Sequence, residues 1–204
     1  GGTRWASDLG GQGYHSLESR GVDLWNRAQN GERWQVFRLS SDSHNTVVVK
    51  GRPHRVAGCG ETIVARGNAS VPRTVLDLGR VYDGQLAGSR RGAALQPDGS
   101  VLIQDEIATN GNRTTIRWAF LTQADADVSE PGGALLSRDG KRMAVHVLSH
   151  RDIHVKTFPT TPVRSHDCEN PGTRMVGFEL KLEPRATTRI AVLFVPETVS
   201  VARI

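Results

Sequence analysis

Asp8 and His44 are the two side chains whose types and settings could be joined into one chemical site. Asp8 stands at the end of an extended run, Thr3 to Leu9, and is followed by Leu9-Gly10-Gly11; His44 lies in Ser43-His44-Asn45-Thr46, directly before the apolar run Val47 to Val49. If those two runs lie side by side, a carboxylate and an imidazole meet. Together they would supply two ligands of a Zn²⁺ site, which usually takes at least three from the protein. They stand 36 residues apart (44 minus 8), a separation that matches no local metal motif. A lone histidine at the start of a strand is also more often structural than chemical. Cys59 and Cys168 form no CxxC pair; a disulfide in an oxidising compartment and two buried thiols both stay open.

Tyr14 and Arg38 are the candidate substrate contacts. Tyr14 lies in a polar, Gly-rich stretch, Gly10 to Arg33, and loops of that length inside a compact domain are more often functional than idle. The ring could equally anchor that loop. Arg38 could pair with a carboxylate or sulfate of a substrate, or clamp an internal carboxylate such as Asp8 or Glu32. Trp5, Trp34, Phe37, Trp118 and Phe120 read as core, with sugar stacking as the minority reading.

The elements that must position these residues are strands. Two-residue alternation recurs at Thr46–Lys50, Ser100–Asp105, Thr115–Leu121, Arg142–Leu148, Met175–Leu182 and Thr188–Val195. In Thr115–Leu121 the residues Ile116, Trp118 and Phe120 share one face, and Thr115, Arg117 and Ala119 share the other, wetter one. Asp98-Gly99, Asn110-Gly111 and Asp139-Gly140 suit tight hairpin turns. Pro159 to Gly172, with three prolines, reads as a surface excursion. The expectation is an all-β, antiparallel β-sandwich of roughly ten to thirteen strands with almost no helix. At 204 residues the chain is expected to form one domain, burying roughly 70% of its unfolded surface.

Charge narrows the partner. Lys plus Arg number 26 against 21 Asp plus Glu, a formal net charge of +5, which favours an acidic partner such as nucleic acid, anionic lipid or acidic polysaccharide. The arginines are scattered, with no compact basic run and no aromatic-interleaved basic motif, so nucleic acid falls in rank. No apolar run approaches the roughly 20 residues that cross a bilayer, so no membrane partner is expected.

Arg4-Trp5-Ala6-Ser7-Asp8-Leu9-Gly10, Tyr14, Arg33-Trp34-Gln35-Val36-Phe37-Arg38 and His44-Asn45-Thr46-Val47-Val48-Val49 with Gly51 together resemble the C-terminal β-sandwich domain of the heparinase II/III-like polysaccharide lyases. Val75-Leu76-Asp77-Leu78, Tyr82, Arg91 and Val101–Glu106 are similar to that family's next strands. The resemblance implies an Asp-bearing first strand, a Tyr-bearing loop and an aromatic-rich strand ending at Arg38. It implies cleavage of an acidic, uronate-containing polysaccharide such as heparan sulfate or alginate by β-elimination, in a periplasmic or secreted protein. It further implies a first strand and an N-terminal α/α-toroid domain of the same parent upstream of this chain, the toroid supplying much of the chemistry. A His-x-His-x-Asp stretch of the family, whose second His is similar in place to a metal ligand completed by the positions of Asp8 and His44, is not found in these residues. Zinc is therefore expected as a half-site at most, and the chain alone is expected to be inactive. The rival reading is a non-catalytic carbohydrate-binding or structural sandwich; a nucleic-acid-binding β-protein ranks third.

Overall fold

Residues 2–197 are described by a computed structural model. Twelve strands follow one another as β1 (Val47–Val49), β2 (Glu61–Arg66), β3 (Arg73–Asp77), β4 (Gly88–Leu95), β5 (Val101–Ala108), β6 (Thr114–Thr122), β7 (Asp125–Asp127), β8 (Gly133–Arg138), β9 (Lys141–Val147), β10 (Lys156–Phe158), β11 (Arg174–Leu182) and β12 (Thr187–Pro196). They form two antiparallel sheets, one of four strands in the order β1-β6-β11-β10 and one of eight in the order β2-β3-β4-β5-β12-β9-β8-β7. This is the expected sandwich. One five-residue helix, α1 (Tyr14–Glu18), and three 3₁₀ turns at Glu32–Gln35, Phe37–Leu39 and Ser41–Ser43 complete the regular structure of the described residues. No helix among them is long and apolar enough to cross a membrane.

The core lies where the alternation puts it. On β6 the side chains of Ile116, Trp118 and Phe120 face the eight-stranded sheet, opposite Leu180, Phe178 and Val176 of β11 in register. Trp118 and Phe178 stack with centroids 5.6 Å apart and planes 7° from parallel. Ile107, Val145, Val147, Ile190 and Val192 close the other side, all under 4% exposed. Burial on this scale is the main stabilising term, at about 25 cal/mol per Å² of apolar surface. β11 lies so near β6 that a Cβ at Gly177 would stand 2.0 Å from the Trp118 carbonyl oxygen, so glycine is required there.

The other face of β6 is not wet. Ala119 and Leu121 are buried with Met175, under Leu9 and Phe158. The covering segment carries a small core of its own, Leu17, Val22, Leu24 and Val36, against which Leu39 packs. This third layer holds the candidate site.

Three local expectations are corrected. Thr3 to Leu9 is extended, with Thr3, Trp5, Ser7 and Leu9 half-buried between exposed Arg4, Ala6 and Asp8, but it forms a single bridge, Ser7 to Leu121, and no strand. Asn45 is the reason: its amide donates to the Ser7 carbonyl at 3.0 Å and accepts from the Leu121 N–H at 2.6 Å, standing where a second ladder rung would be. Arg33 to Arg38, expected as a strand, is two 3₁₀ turns about an extended Val36, because no neighbouring strand is there to take its backbone hydrogen bonds. Asn110-Gly111 does not close a hairpin: it carries the chain from β5 in one sheet to β6 in the other. Asp98-Gly99 and Asp139-Gly140 do close hairpins, β4–β5 and β8–β9, the latter with φ of +51° and +70° as a primed turn needs. Neither reading of the cysteines holds as stated: both are free, but Cys59 is exposed and Cys168 only half-buried.

Candidate functional site

Asp8 and His44 meet. Oδ2 of Asp8 lies 2.7 Å from Nδ1 of His44, with the side chains 52% and 40% exposed. A carboxylate only accepts, so Nδ1 carries the proton, and in the neutral ring the lone pair is on Nε2. The second Asp8 oxygen accepts the Gly10 N–H at 2.7 Å, which fixes the carboxylate. Each residue of Ser43-His44-Asn45-Thr46 has a placing role: Ser43 is buried, Asn45 stitches Ser7 to β6, and Thr46 meets the hydroxyl of Tyr82 at 3.2 Å. Asp8 is thus brought to His44 by backbone held on Asn45, the next residue along.

Burial of Asp8 pushes its pKa up, but the His44 hydrogen bond, the Gly10 N–H and the imidazolium charge together outweigh it and leave the pKa below its ordinary value. A carboxyl with a depressed folded pKa adds stability that is present above the unfolded pKa and lost as pH falls through the folded one, here below about pH 4. We expect the Asp8 carboxyl resonance to titrate with a midpoint below the roughly 3.9 of an unstructured Asp, and His44→Ala to move that midpoint upward. A midpoint at or above the ordinary value in the unaltered protein would contradict this pairing.

The pair sits between two depressions. Asp8 lines one of about 250 Å³ together with Arg4, Arg38 and Asn170. His44 lines another of about 420 Å³ with Thr46, His54 and Trp34. Under the second, His54 donates from Nε2 to the Val47 carbonyl at 2.9 Å and lies edge-on to Tyr82, whose hydroxyl donates to the same carbonyl at 2.8 Å. Burial pushes the His54 pKa down and the Tyr82 pKa up, so near neutrality both are uncharged.

Arg38 clamps neither Asp8 nor Glu32. Nε donates to Asn170 Oδ1 at 2.8 Å, and the two terminal nitrogens donate to the Gly11 and Glu169 carbonyls at 3.2 and 3.1 Å. It ties the loop before α1 to the excursion between β10 and β11, and any substrate contact would share donors already engaged. Tyr14 begins α1, 42% exposed. Its ring is edge-on to Trp25 at 5.8 Å, and its hydroxyl accepts from Arg33 at 3.1 Å. Tyr14 lines neither depression. Of the five aromatics expected in the core, Trp118 and Phe120 are buried, while Trp5, Trp34 and Phe37 are half-buried.

As a zinc site the donor set falls short. Among the described residues no group of three or more His, Cys, Asp or Glu side chains could hold a metal ion, and both Asp8 oxygens are already engaged. The described residues define a carboxylate-oriented imidazole, with Nε2 of His44 free of any partner among them. Sequence spacing gave no signal for Asn45 as the brace, for His54 beneath the site, or for Asp105, whose part emerges only from strand register.

The architecture is that of a part of larger lyase structures. The heparan sulfate lyase HepC from Pedobacter heparinus superposes with a TM-score of 0.68 at 10% identity, over 95% of this chain and 28% of that one. A heparinase III gene product superposes with a TM-score of 0.66 at 15% identity, over 97% of this chain and 28% of that one. A heparinase III crystal structure gives 0.63 at 13% identity, over 81% and 25%. This chain therefore spans roughly a quarter of the length of the structures it resembles, and at these identities the likeness is one of fold. No family model and no curated protein sequence matches the chain.

Proposed function

We propose that this chain is the β-sandwich part of a polysaccharide lyase that cleaves an acidic, uronate-containing polysaccharide by β-elimination, with an α/α-toroid domain elsewhere in the same polypeptide. The observation that carries the reading is the Asp8–His44 pair, its ring held in one tautomer at an open surface, on a fold shared over nearly the whole chain with a heparan sulfate lyase. β-Elimination removes the proton next to a uronate carboxylate and expels the oxygen at C4. It needs a base, an acid, and a group that neutralises the carboxylate.

Asp8 and His44 serve this reaction as an oriented pair. Asp8 fixes the imidazole in one tautomer and orientation, so Nε2 offers one defined lone pair to a proton, a substrate hydroxyl or a cation. A zinc ion at this place would need a third donor from outside the described residues. Arg38 shapes the surface beside the pair by fixing the wall that holds Asp8, while Tyr14 stands outside both depressions. The net positive charge suits a polyanionic substrate, and a protein acting on such polymers belongs in the periplasm or outside the cell.

The test is to assay the parent protein against heparan sulfate, alginate and other polyuronates, following the ultraviolet absorbance of the unsaturated product. We expect product from at least one, and Asp8→Asn to slow it by about 10- to 100-fold, as loss of an orienting carboxylate does. Tight binding of these polymers with no product from any would establish the non-catalytic carbohydrate-binding reading instead.

A further inference from the structure

The depression holding His44 does not end at Trp34. Trp34, Ser40, Ser41 and Pro53 form a shared rim with a larger depression of about 640 Å³, a size in the range of ligand sites. Its walls carry three arginines, Arg52, Arg117 and Arg164, and the rings of Trp34, Phe37 and Phe158. The carboxylates there are spoken for. Asp42 accepts from Arg117 at 3.1 Å, and the oxygens of Asp167 accept the N–H groups of Phe37 and Arg164 at 2.8 and 3.1 Å. Arg164 gives one nitrogen to the Gln35 carbonyl, while the guanidinium of exposed Arg52 has no partner among the described residues. Three arginines thus stand against two carboxylates, of which Asp42 is paired with Arg117 and Asp167 has its side chain 1% exposed, so the charge the groove presents at its surface is positive.

Its apolar plates are rigid. The indole N–H of Trp34 donates to the Ala28 carbonyl at 3.0 Å, and the Arg33 guanidinium stands 5.4 Å from the ring centroid. Arg117 lies 5.4 Å from the Phe158 ring, so its charge is fixed in the wall. A fixed aromatic wall with single guanidinium groups spaced along it suits a polymer that alternates sugar faces with single negative charges. A contiguous basic run, which would track a phosphate backbone, is not what lines it.

We infer that this groove is a binding subsite for a segment of anionic polysaccharide continuing from His44, with Arg52 pairing a carboxylate or sulfate and Trp34 walling the sugar ring. The inference deepens the lyase reading and rests on it for the identity of the polymer. Arg52 is exposed and unpartnered, so Arg52→Glu leaves the fold intact. Arg73→Glu, at an exposed position on β3 of the other sheet, makes the same change in net charge.

Binding of size-defined oligosaccharides of heparan sulfate and of alginate is measured by calorimetry on the parent protein and both variants, with neutral dextran and a single-stranded DNA of equal charge as controls. We expect Arg52→Glu to weaken the acidic oligosaccharide at least fivefold and Arg73→Glu by less than twofold, with dextran unbound. Dependence on Arg52 with alginate assigns a carboxylate to the groove, and dependence with heparan sulfate alone assigns a sulfate. Equal weakening by both variants, or DNA bound as tightly with the same dependence on Arg52, would overturn the inference, because diffuse charge would then explain the binding. Product formation is followed in the same samples. Product without dependence on Arg52 sinks the groove alone, and dependence on Arg52 without product sinks the lyase reading alone.

Discussion

Arg91→Met should lower the unfolding free energy of this sandwich by about 3–5 kcal/mol, the usual effect of removing one partner of a buried ion pair. Arg91 on β4 and Asp105 on β5 face each other directly across the strand pair. The guanidinium grips the carboxylate at both ends, Nε to Oδ1 at 2.7 Å and a terminal nitrogen to Oδ2 at 2.9 Å. Asp105 is 2% exposed and also accepts the Trp118 indole N–H at 2.8 Å. Burial works against the Arg91 charge, but the Asp105 carboxylate beside it prevails and keeps its pKa above the ordinary value. Without Arg91 the carboxylate would keep only the indole donor, too little to offset its lost hydration. Replacing both partners, Arg91→Met with Asp105→Leu, should recover most of the loss, less about 1–3 kcal/mol for the indole N–H left without an acceptor. Urea unfolding at constant m-value reads all three proteins. A single-variant loss below about 1 kcal/mol would show that the pair is not desolvated as described.

The effect should reach the site as well. The remaining Arg91 nitrogen donates to the Asn45 carbonyl at 2.8 Å, and Asn45 holds both Ser7 and Leu121. A chain of three contacts thus runs from the buried ion pair to the backbone on either side of Asp8 and His44.

What the sequence could show of this arrangement follows from the range of its signals. Alternation is local, so Ile116, Trp118 and Phe120 are legible as a core face before any partner is known. The same pattern misjudges the opposite face, where Ala119 and Leu121 are buried by Leu9 and Phe158, because a covering layer from distant sequence leaves no trace in the strand it covers. Asn-Gly at 110–111 signals a chain reversal but not which sheet the chain enters next. The Thr3–Leu9 run has a strand's alternation yet pairs once, because a side-chain amide takes the ladder's place. Asp8 and His44 could be singled out by their positions at the ends of extended runs. Their contact depends on Asn45, and the Arg91–Asp105 grip depends on the β4–β5 register, and neither is written in residue spacing.

The 204-residue chain by itself should give no measurable lyase product under conditions where the parent turns over. The two depressions beside the pair offer one imidazole free to act, that of His44. The ring N–H of His54 is spent on the Val47 carbonyl, the Tyr82 hydroxyl donates to the same carbonyl from a buried position, and the Tyr14 hydroxyl is held by Arg33 outside both depressions. A single oriented lone pair cannot abstract the proton, neutralise the carboxylate and protonate the departing oxygen together. Holding all three groups around the sugar contributes roughly 7–11 kcal/mol, or about five to eight orders of magnitude in rate. The isolated chain and the parent are assayed side by side at equal concentration, with circular dichroism confirming that the isolated chain is folded. In the parent, His44→Ala should abolish most of the turnover while the fold is retained, because the oriented lone pair is lost and no other side chain lining the two depressions replaces it. Comparable turnover from the isolated chain would mean that its own residues suffice, and a parent indifferent to His44→Ala would remove the Asp8–His44 pair from the reaction.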